Sequence, residues 1–240
     1  MGSEKGERFL ILETSGRAGR VAAAEGESLL RWHTLDETRR HARDLAPAVA
    51  AILAELDWKP RQVAAVFVSQ GPGSYTGLRV GIMSAKAFAY ATGATLVGVP
   101  TFQAIALQAP VQSMSVEVLA DAQQDRIYVQ RFERREASGD ISPASPLTIR
   151  PFAEWLADRK GSDWLTGPGL HRFHDRLPPG IAITQPESWD PLPESLLRIA
   201  LARYRAGEKD DPIALEPIYL RPSSAEEKWD ARPTPDFPKV

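Results

Sequence analysis

Residues 71–81 read Gly-Pro-Gly-Ser-Tyr-Thr-Gly-Leu-Arg-Val-Gly. They follow the apolar run Val-Ala-Ala-Val-Phe-Val-Ser at 63–69, which predicts a strand, and they lead into a nearly uncharged stretch that predicts a helix over 77–92. A strand, a glycine turn and a helix N-terminus in this order present backbone N–H groups at the positive end of the helix dipole. The stretch therefore predicts either an anion site, often for phosphate, or a tight strand-to-helix turn that binds nothing.

The two best-known phosphate motifs do not fit this loop. A P-loop continues from its last glycine into lysine and a hydroxyl residue, whereas Gly77 is followed by Leu78 and Arg79. A Rossmann fingerprint places its third glycine where this chain has Thr76. Both interpretations of the loop stay open on residue types alone. Its candidate anion-binding residues are Gly71, Gly73, Ser74, Thr76 and Gly77.

Composition bounds the class of protein. The chain has 240 residues, of which 43% are hydrophobic and 25% charged, and this is enough for one large domain or two small ones. A net charge of -2 argues against a strongly basic nucleic-acid-binding face. The absence of cysteine excludes disulfides, thiolate zinc sites and a cysteine nucleophile. With no bilayer-spanning run and no signal-peptide core, we expect a cytoplasmic protein.

The order of predicted elements indicates a duplicated α/β chain. The first part reads βββαβαβα, and Glu13 ends the leading strand of its first hairpin. A second hairpin follows, with strands at 115–121 and 126–132, and Asp121 ends its leading strand. Two hairpins with a carboxylate at the turn predict two duplicated ribonuclease H-like lobes. The predicted bounds are 1–108 for the N-terminal lobe, 109–221 for the C-terminal lobe and 222–240 for a mobile tail.

The sequence also predicts where the first helix starts and where a last strand lies. The first helix has Asp36 or Thr38 as its candidate cap, and Pro47 in its first turns predicts a regular start near Leu45 or a kink. A last strand is predicted at 213–220.

The two acids at the hairpin turns have two interpretations. Carboxylates suit Mg²⁺, so Glu13 and Asp121 could flank a cleft between the lobes and hold a magnesium–nucleotide. Alternatively, each acid caps its own turn through backbone N–H groups.

Histidine chemistry has little support in the sequence. A helical zinc pair needs a second histidine four residues after His41, where the chain has Leu45. The other histidines are His33, His171 and His174.

Small residues recur along the two predicted helices of the first lobe. Such residues let a second helix approach closely, either within the chain or on a partner with a matching pair of helices. The candidate partner-interface residues are Pro47, Ala50, Ala51, Ala54, Gly77, Gly81, Ala85 and Lys86.

Several motifs, in order along the chain, resemble those of the TsaB (YeaZ) family. The central one is the run from Gly71 to Ile82. The others are His41 to Pro47, Gly98-Val-Pro-Thr-Phe102, Asp121-Ala-Gln-Gln-Asp-Arg-Ile-Tyr128 and Glu216-Pro-Ile-Tyr-Leu-Arg221.

The resemblance implies an actin-like/Hsp70-like ATPase fold and a role in making N6-threonylcarbamoyladenosine in tRNA. It implies a non-catalytic scaffold that pairs with TsaD, the catalytic and metal-bearing paralogue, and joins the small ATPase TsaE. It also implies a homodimer when alone, only indirect contact with tRNA, and no cofactor of its own.

The chain departs from the family pattern at both turns. Glu13 stands where the family usually has Asp, and Gln123 where it often has Arg. An active nucleotide hydrolase of the same fold, with ATP in the cleft, stays open as an alternative. A metallo-glycopeptidase, suggested by older names for the wider superfamily, would need metal ligands that the motifs do not supply.

Overall fold

The computed structural model describes residues 6–36, 41–135, 139–159, 161 and 163–220, and of His41 and Ala42 it describes the backbone alone. The first sheet has five strands in the order β3-β2-β1-β4-β5. Strands β1 and β2 and strands β2 and β3 pair antiparallel, whereas β4 lies parallel to both β1 and β5. The elements of this part are β1 (Arg8–Glu13), β2 (Arg20–Glu25), β3 (Ser28–Thr34), α1 (His41–Glu55), β4 (Val63–Gly71), α2 (Tyr75–Thr92), β5 (Thr95–Pro100) and α3 (Thr101–Leu107).

The second sheet has the order β10-β6-β7-β8, and β9 also pairs with β7. Its hairpin of β6 and β7 runs in register from Ser115 opposite Glu133 to Asp121 opposite Ile127. The remaining elements are β6 (Ser115–Asp121), β7 (Arg126–Arg134), β8 (Ile141–Pro143), β9 (Thr148–Pro151), α4 (Phe152–Asp158), β10 (Trp164–Thr166), α5 (Leu170–Phe173) and α6 (Pro193–Arg205), with short 3-10 turns at Pro60–Gln62, His174–Arg176 and Pro186–Ser188.

Strand β4 explains why the first sheet is covered on both faces. Its side chains alternate, so that Val66 and Val68 pack under α1 and α2 while Ala65 and Phe67 pack under α6. A strand buried on both faces reads as a continuous apolar run. This is the run that the sequence predicted as a strand, and the glycine loop begins at its carboxyl end.

Helix α6 and the segment after it belong to the first lobe, not to the second lobe as predicted. Leu196, Leu197 and Ala200 of α6 pack against Phe9 and Phe67 of the first sheet. Because residues 193–220 lie on the first sheet, the assignment of the whole range 109–221 to the second lobe is wrong. An amphipathic helix reveals which of its faces is buried, but not which sheet it covers.

The predicted strand at 213–220 is also wrong. This segment is an irregular strap along the end of the first sheet, bonded there by Ile218 N–H to the Gln70 carbonyl at 2.8 Å. Pro212 and Pro217 lack the N–H groups that a ladder would need. The predicted tail at 222–240 lies outside the described residues.

Helix α1 begins at His41, one turn before the predicted start, and Pro47 lies inside it. Because Pro47 is exposed, water can reach the carbonyl group that the proline ring leaves without a donor. The candidate cap Thr38 lies outside the described residues. Within the part of the chain that the structure describes, no helix is long and apolar enough to cross a membrane.

Candidate functional site

The glycine loop joins β4 to α2 at the edge of the first lobe. Gly71 ends β4 with φ 105°, and the Gly71–Pro72 peptide bond is cis. Helix α2 begins at Tyr75, two residues before the predicted start, because Ser74 is its cap and accepts a bond from Gly77 N–H at 3.2 Å. The chain therefore supplies its own oxygen to one of the amides that the predicted anion site would use.

The loop packs directly on the turn of the first hairpin. Ser74 N–H donates to the Ser15 carbonyl at 2.8 Å. A Cβ on Gly73 would lie 2.6 Å from that same oxygen, and one on Gly77 would lie 2.0 Å from the Thr14 carbonyl. Glycine is needed at these positions because backbone meets backbone there.

Glu13 stands under the same turn and is fully buried. Its Oε1 accepts bonds from Ser15 N–H at 2.5 Å, from the Ser15 hydroxyl at 2.6 Å and from Gly16 N–H at 3.1 Å. Its Oε2 is buried without a hydrogen-bond partner. Burial raises the pKa of Glu13, although the bonds from Ser15 act in the opposite direction. The side chain thus makes the turn-capping contacts that were one of its two interpretations.

Asp121 holds the second hairpin in a similar way. Its Oδ1 accepts from Gln123 N–H at 2.8 Å, and its Oδ2 accepts from Arg172 at 2.8 Å. The turn has three successive residues of positive φ, Gln123, Gln124 and Asp125, which local carboxylate bonds help to hold. A hydrogen bond from Arg176 holds the pKa of the Asp125 carboxyl below its usual range.

The three histidines whose side chains the structure describes each lie beside an acid. The distances between the paired side-chain atoms are 3.0 Å for His33 and Glu55, 2.9 Å for His171 and Asp190, and 3.1 Å for His174 and Asp175. Over the described ranges, no three His, Cys, Asp or Glu side chains are grouped so as to hold a metal ion.

The predicted partner interface divides into two parts. Pro47, Ala50, Ala51 and Ala54 are exposed on α1, as an interface residue in the unbound chain must be. In contrast, the predicted small residues of α2 face inward. Gly77, Gly81 and Ala85 are buried, and Lys86 Nζ donates to the Ile213 carbonyl of the strap at 3.2 Å.

The placement of Gly77, Gly81 and Ala85 in a partner interface is therefore wrong. A Cβ on Gly81 would lie 2.1 Å from Thr14 Oγ1, so this face of α2 packs on the hairpin turn of its own chain. The outward side of α2 instead carries Met83, which is 63% exposed, and Tyr90, which is 91% exposed. The sequence did contain a signal for them, since two large apolar residues seven apart lie on one side of a helix.

The exposed residues of these two neighbouring helices are here called the outer helix face. Helices α1 and α2 pack side by side over the core cluster that contains Val66 and Val68, through Val49 of α1 and Val80 and Phe88 of α2. The outer helix face consists of Pro47, Ala50, Ala51, Ala54, Met83 and Tyr90.

A glutamine substitution at position 13 should change the dependence of stability on pH. Because burial raises the pKa of Glu13 in the folded chain, its contribution to stability is fully present below the unfolded pKa, near 4.5, and is lost as pH rises through the folded pKa. Glutamine does not ionise, so the Glu13→Gln chain escapes this loss. We expect its Tm to gain a few degrees on wild type between pH 4 and pH 8, measured by calorimetry.

The control for this prediction is Glu154→Gln, which removes an exposed acid on α4. Its Tm should follow wild type across the whole range. A constant offset between Glu13→Gln and wild type at every pH would contradict the assignment of a raised pKa to Glu13.

Comparison with known proteins places the chain among tRNA-modification proteins. Residues 35–158, about half of the chain, match the family model described as TsaD: tRNA N6-adenosine threonylcarbamoyltransferase. The tRNA threonylcarbamoyladenosine biosynthesis protein TsaB of Bacillus subtilis (strain 168) is 24% identical over 92% of this chain and 97% of its own length. Its namesake in Escherichia coli (strain K12) is 26% identical over the same shares.

The fold has a close counterpart among solved structures. The structure of YeaZ from Pseudomonas aeruginosa superposes with a TM-score of 0.75 at 24% identity, and the match covers 89% of this chain and all of that one. The predicted α/β fold of actin-like/Hsp70-like type with two lobes is confirmed, with the boundary corrected above.

Proposed function

The chain belongs to the TsaB (YeaZ) family of TsaD-type proteins, and we propose that it is the non-catalytic partner of a TsaD-type subunit in tRNA modification. The complex would transfer a threonylcarbamoyl group to adenosine 37 of tRNA. A TsaE-type ATPase would join the pair, and the chain alone would form a homodimer. The proposal places the protein in the cytoplasm, where it touches tRNA only through its partner.

The observation that carries the proposal is the outer helix face of a chain in this family. Four small residues on α1 leave the helix backbone open to close approach, and Met83 and Tyr90 on α2 offer large apolar groups beside them. Exposed apolar side chains grouped on two packed helices are typical of a protein–protein contact. A TsaD-type paralogue, built on the same fold, would present a matching helix pair.

The contacts of the two hairpin acids support a structural role for these side chains rather than nucleotide binding. The carboxylates of Glu13 and Asp121 both accept hydrogen bonds from backbone N–H groups of their own turns, and Asp121 also pairs with Arg172. We therefore propose that the chain acts without a cofactor. Calorimetric titration with Mg-ATP tests this, since binding at micromolar ATP would favour the alternative of an active ATPase.

Reconstitution tests the proposed function. In a reconstituted synthesis of N6-threonylcarbamoyladenosine with the TsaD-type subunit and TsaE-type ATPase of the same organism, the modified nucleoside should form in tRNA only when this chain is added. Equal modification in its absence would overturn the proposal.

A charge on the outer helix face should break the complex. Ala50→Glu puts a carboxylate into the proposed contact, where burying it unpaired costs several kcal/mol, so we expect Kd for the TsaD-type subunit to rise on the order of 100-fold. Ala153→Glu, at an exposed alanine of α4, is the matched control and should leave Kd unchanged. If both variants bind like wild type, the interface lies elsewhere on the chain.

A further inference from the structure

Two connections join the lobes of the chain. The first is residues 108–114, between α3 and β6, and the second is residues 188–192, which return the chain from the second lobe to α6. Any rotation of one lobe relative to the other must bend both connections. It must also disturb α3, whose Phe102 and Ile105 pack in one core cluster with Val116 and Phe132 of the second sheet. The bonds that hold the connections add to this restraint.

The side chain of Gln108 on the first connection is bonded entirely to the second connection and the start of α6. Its Nε2 donates to the carbonyls of Ser188 at 3.0 Å and Asp190 at 2.9 Å. Its Oε1 accepts from Leu192 N–H at 2.8 Å and from the Ser195 hydroxyl at 2.7 Å. Two donors and two acceptor positions are all that an amide side chain offers, and all four are used.

The second connection is also held by the first lobe. Arg20, on β2, donates to the Pro191 carbonyl at 2.9 Å. A Cβ on Gly16 would lie 3.6 Å from Oδ1 of Asp190, so the first hairpin turn lies beside this segment. The first sheet and the second connection are thus joined independently of Gln108.

The second lobe holds the same few residues from the other side. The Thr166 hydroxyl, at the end of β10, donates to the Ser188 carbonyl at 3.1 Å. His171 Nε2, on α5, lies 2.9 Å from Asp190 Oδ2. Residues 188–192 therefore carry bonds to both lobes and to Gln108 at once.

We propose that Gln108, in addition to the packing of α3, locks the two lobes in one relative orientation. Hinge motion requires a connection whose backbone can change its dihedral angles without losing bonds. Here a rotation must break the bonds of Gln108, those to Arg20 or those to Thr166 and His171. The lock goes beyond the proposed function, because a TsaD-type subunit could bind the outer helix face whether or not the lobes move.

Distance measurement between the lobes tests the lock. The chain has no native cysteine, so spin labels can be placed at Arg61→Cys in the first lobe and Glu154→Cys in the second without other changes. Pulsed electron paramagnetic resonance should give one narrow distance for this labelled chain. Two distances, or one broad distribution, would overturn the lock before any further variant is made.

Substitution of Gln108 is the second test of the lock. Gln108→Ala in the labelled chain should broaden the distance distribution at least twofold and speed amide hydrogen exchange of residues 188–192 at least tenfold. Gln130→Ala is the control, because Gln130 Nε2 donates to the Ser145 carbonyl within the second lobe, and it should change neither quantity. If Gln108→Ala does not fold, Ser195→Ala removes one of the four bonds and should accelerate the same exchange. Distances and exchange like wild type in the folded Gln108 or Ser195 variant would refute the role of Gln108.

Discussion

Replacing Gly77 with alanine should lower the free energy of unfolding by about 3 kcal/mol. The new methyl group would lie 2.0 Å from the Thr14 carbonyl oxygen, which is backbone and cannot turn away. The sign is diagnostic, because alanine in place of glycine inside a helix ordinarily stabilises by roughly 1 kcal/mol. Denaturant unfolding of wild type and Gly77→Ala, with equal m values, measures the loss.

A matched pair at Gly81 separates this contact from a general cost of altering α2. A Cβ on Gly81 would meet Thr14 Oγ1 at 2.1 Å, and this is a side-chain atom that Thr14→Ala removes. Gly81→Ala should therefore be destabilised in the wild-type chain and largely rescued in the Thr14→Ala chain, with a coupling of at least about 1 kcal/mol. Gly77→Ala should show no such rescue. Equal behaviour of the two glycines would mean that α2 does not pack on the first turn as described.

Residues 71–81 show which features of the fold can be predicted from the sequence and which cannot. The strand, the glycine turn and the helix could be predicted from them because each depends on its own neighbours. The role of the glycines could not be, since it depends on Thr14 and Ser15, more than fifty residues earlier in the chain. Small residues spaced along a helix indicate that another segment packs closely there, but they do not identify that segment.

The candidate site was predictable to a similar extent. The hairpin with Glu13 at its turn follows from two short apolar runs separated by a turn rich in serine and glycine. Both uses of the carboxylate were consistent with that position. Its burial depends on α2 closing over the turn, which no local pattern encodes. The same limit explains α6, whose apolar stripe is evident in the sequence although its partner sheet is not.

Replacing Arg134 with methionine should also cost about 3 kcal/mol of stability. This arginine ends β7, is only 7% exposed, and donates from its guanidinium to the carbonyls of Ser113 at 3.3 Å, Gly139 at 2.8 Å and Ala109 at 3.0 Å. Methionine fills similar space but leaves all three carbonyls without this donor. Two of them belong to the first connection between the lobes, so that segment should loosen as well.

Arg131→Met on the same strand is the control for this prediction. Arg131 is 40% exposed and forms ion pairs with Glu133 and Asp163. Exposed pairs of this kind contribute up to about 1 kcal/mol, so its loss should be small. Urea unfolding gives both values, and hydrogen exchange at residues 109–113 should rise in Arg134→Met alone. Equal losses in the two variants would show that the buried guanidinium does not stabilise the connection, because Arg134, unlike Arg131, serves three carbonyls with one rigid group of donors.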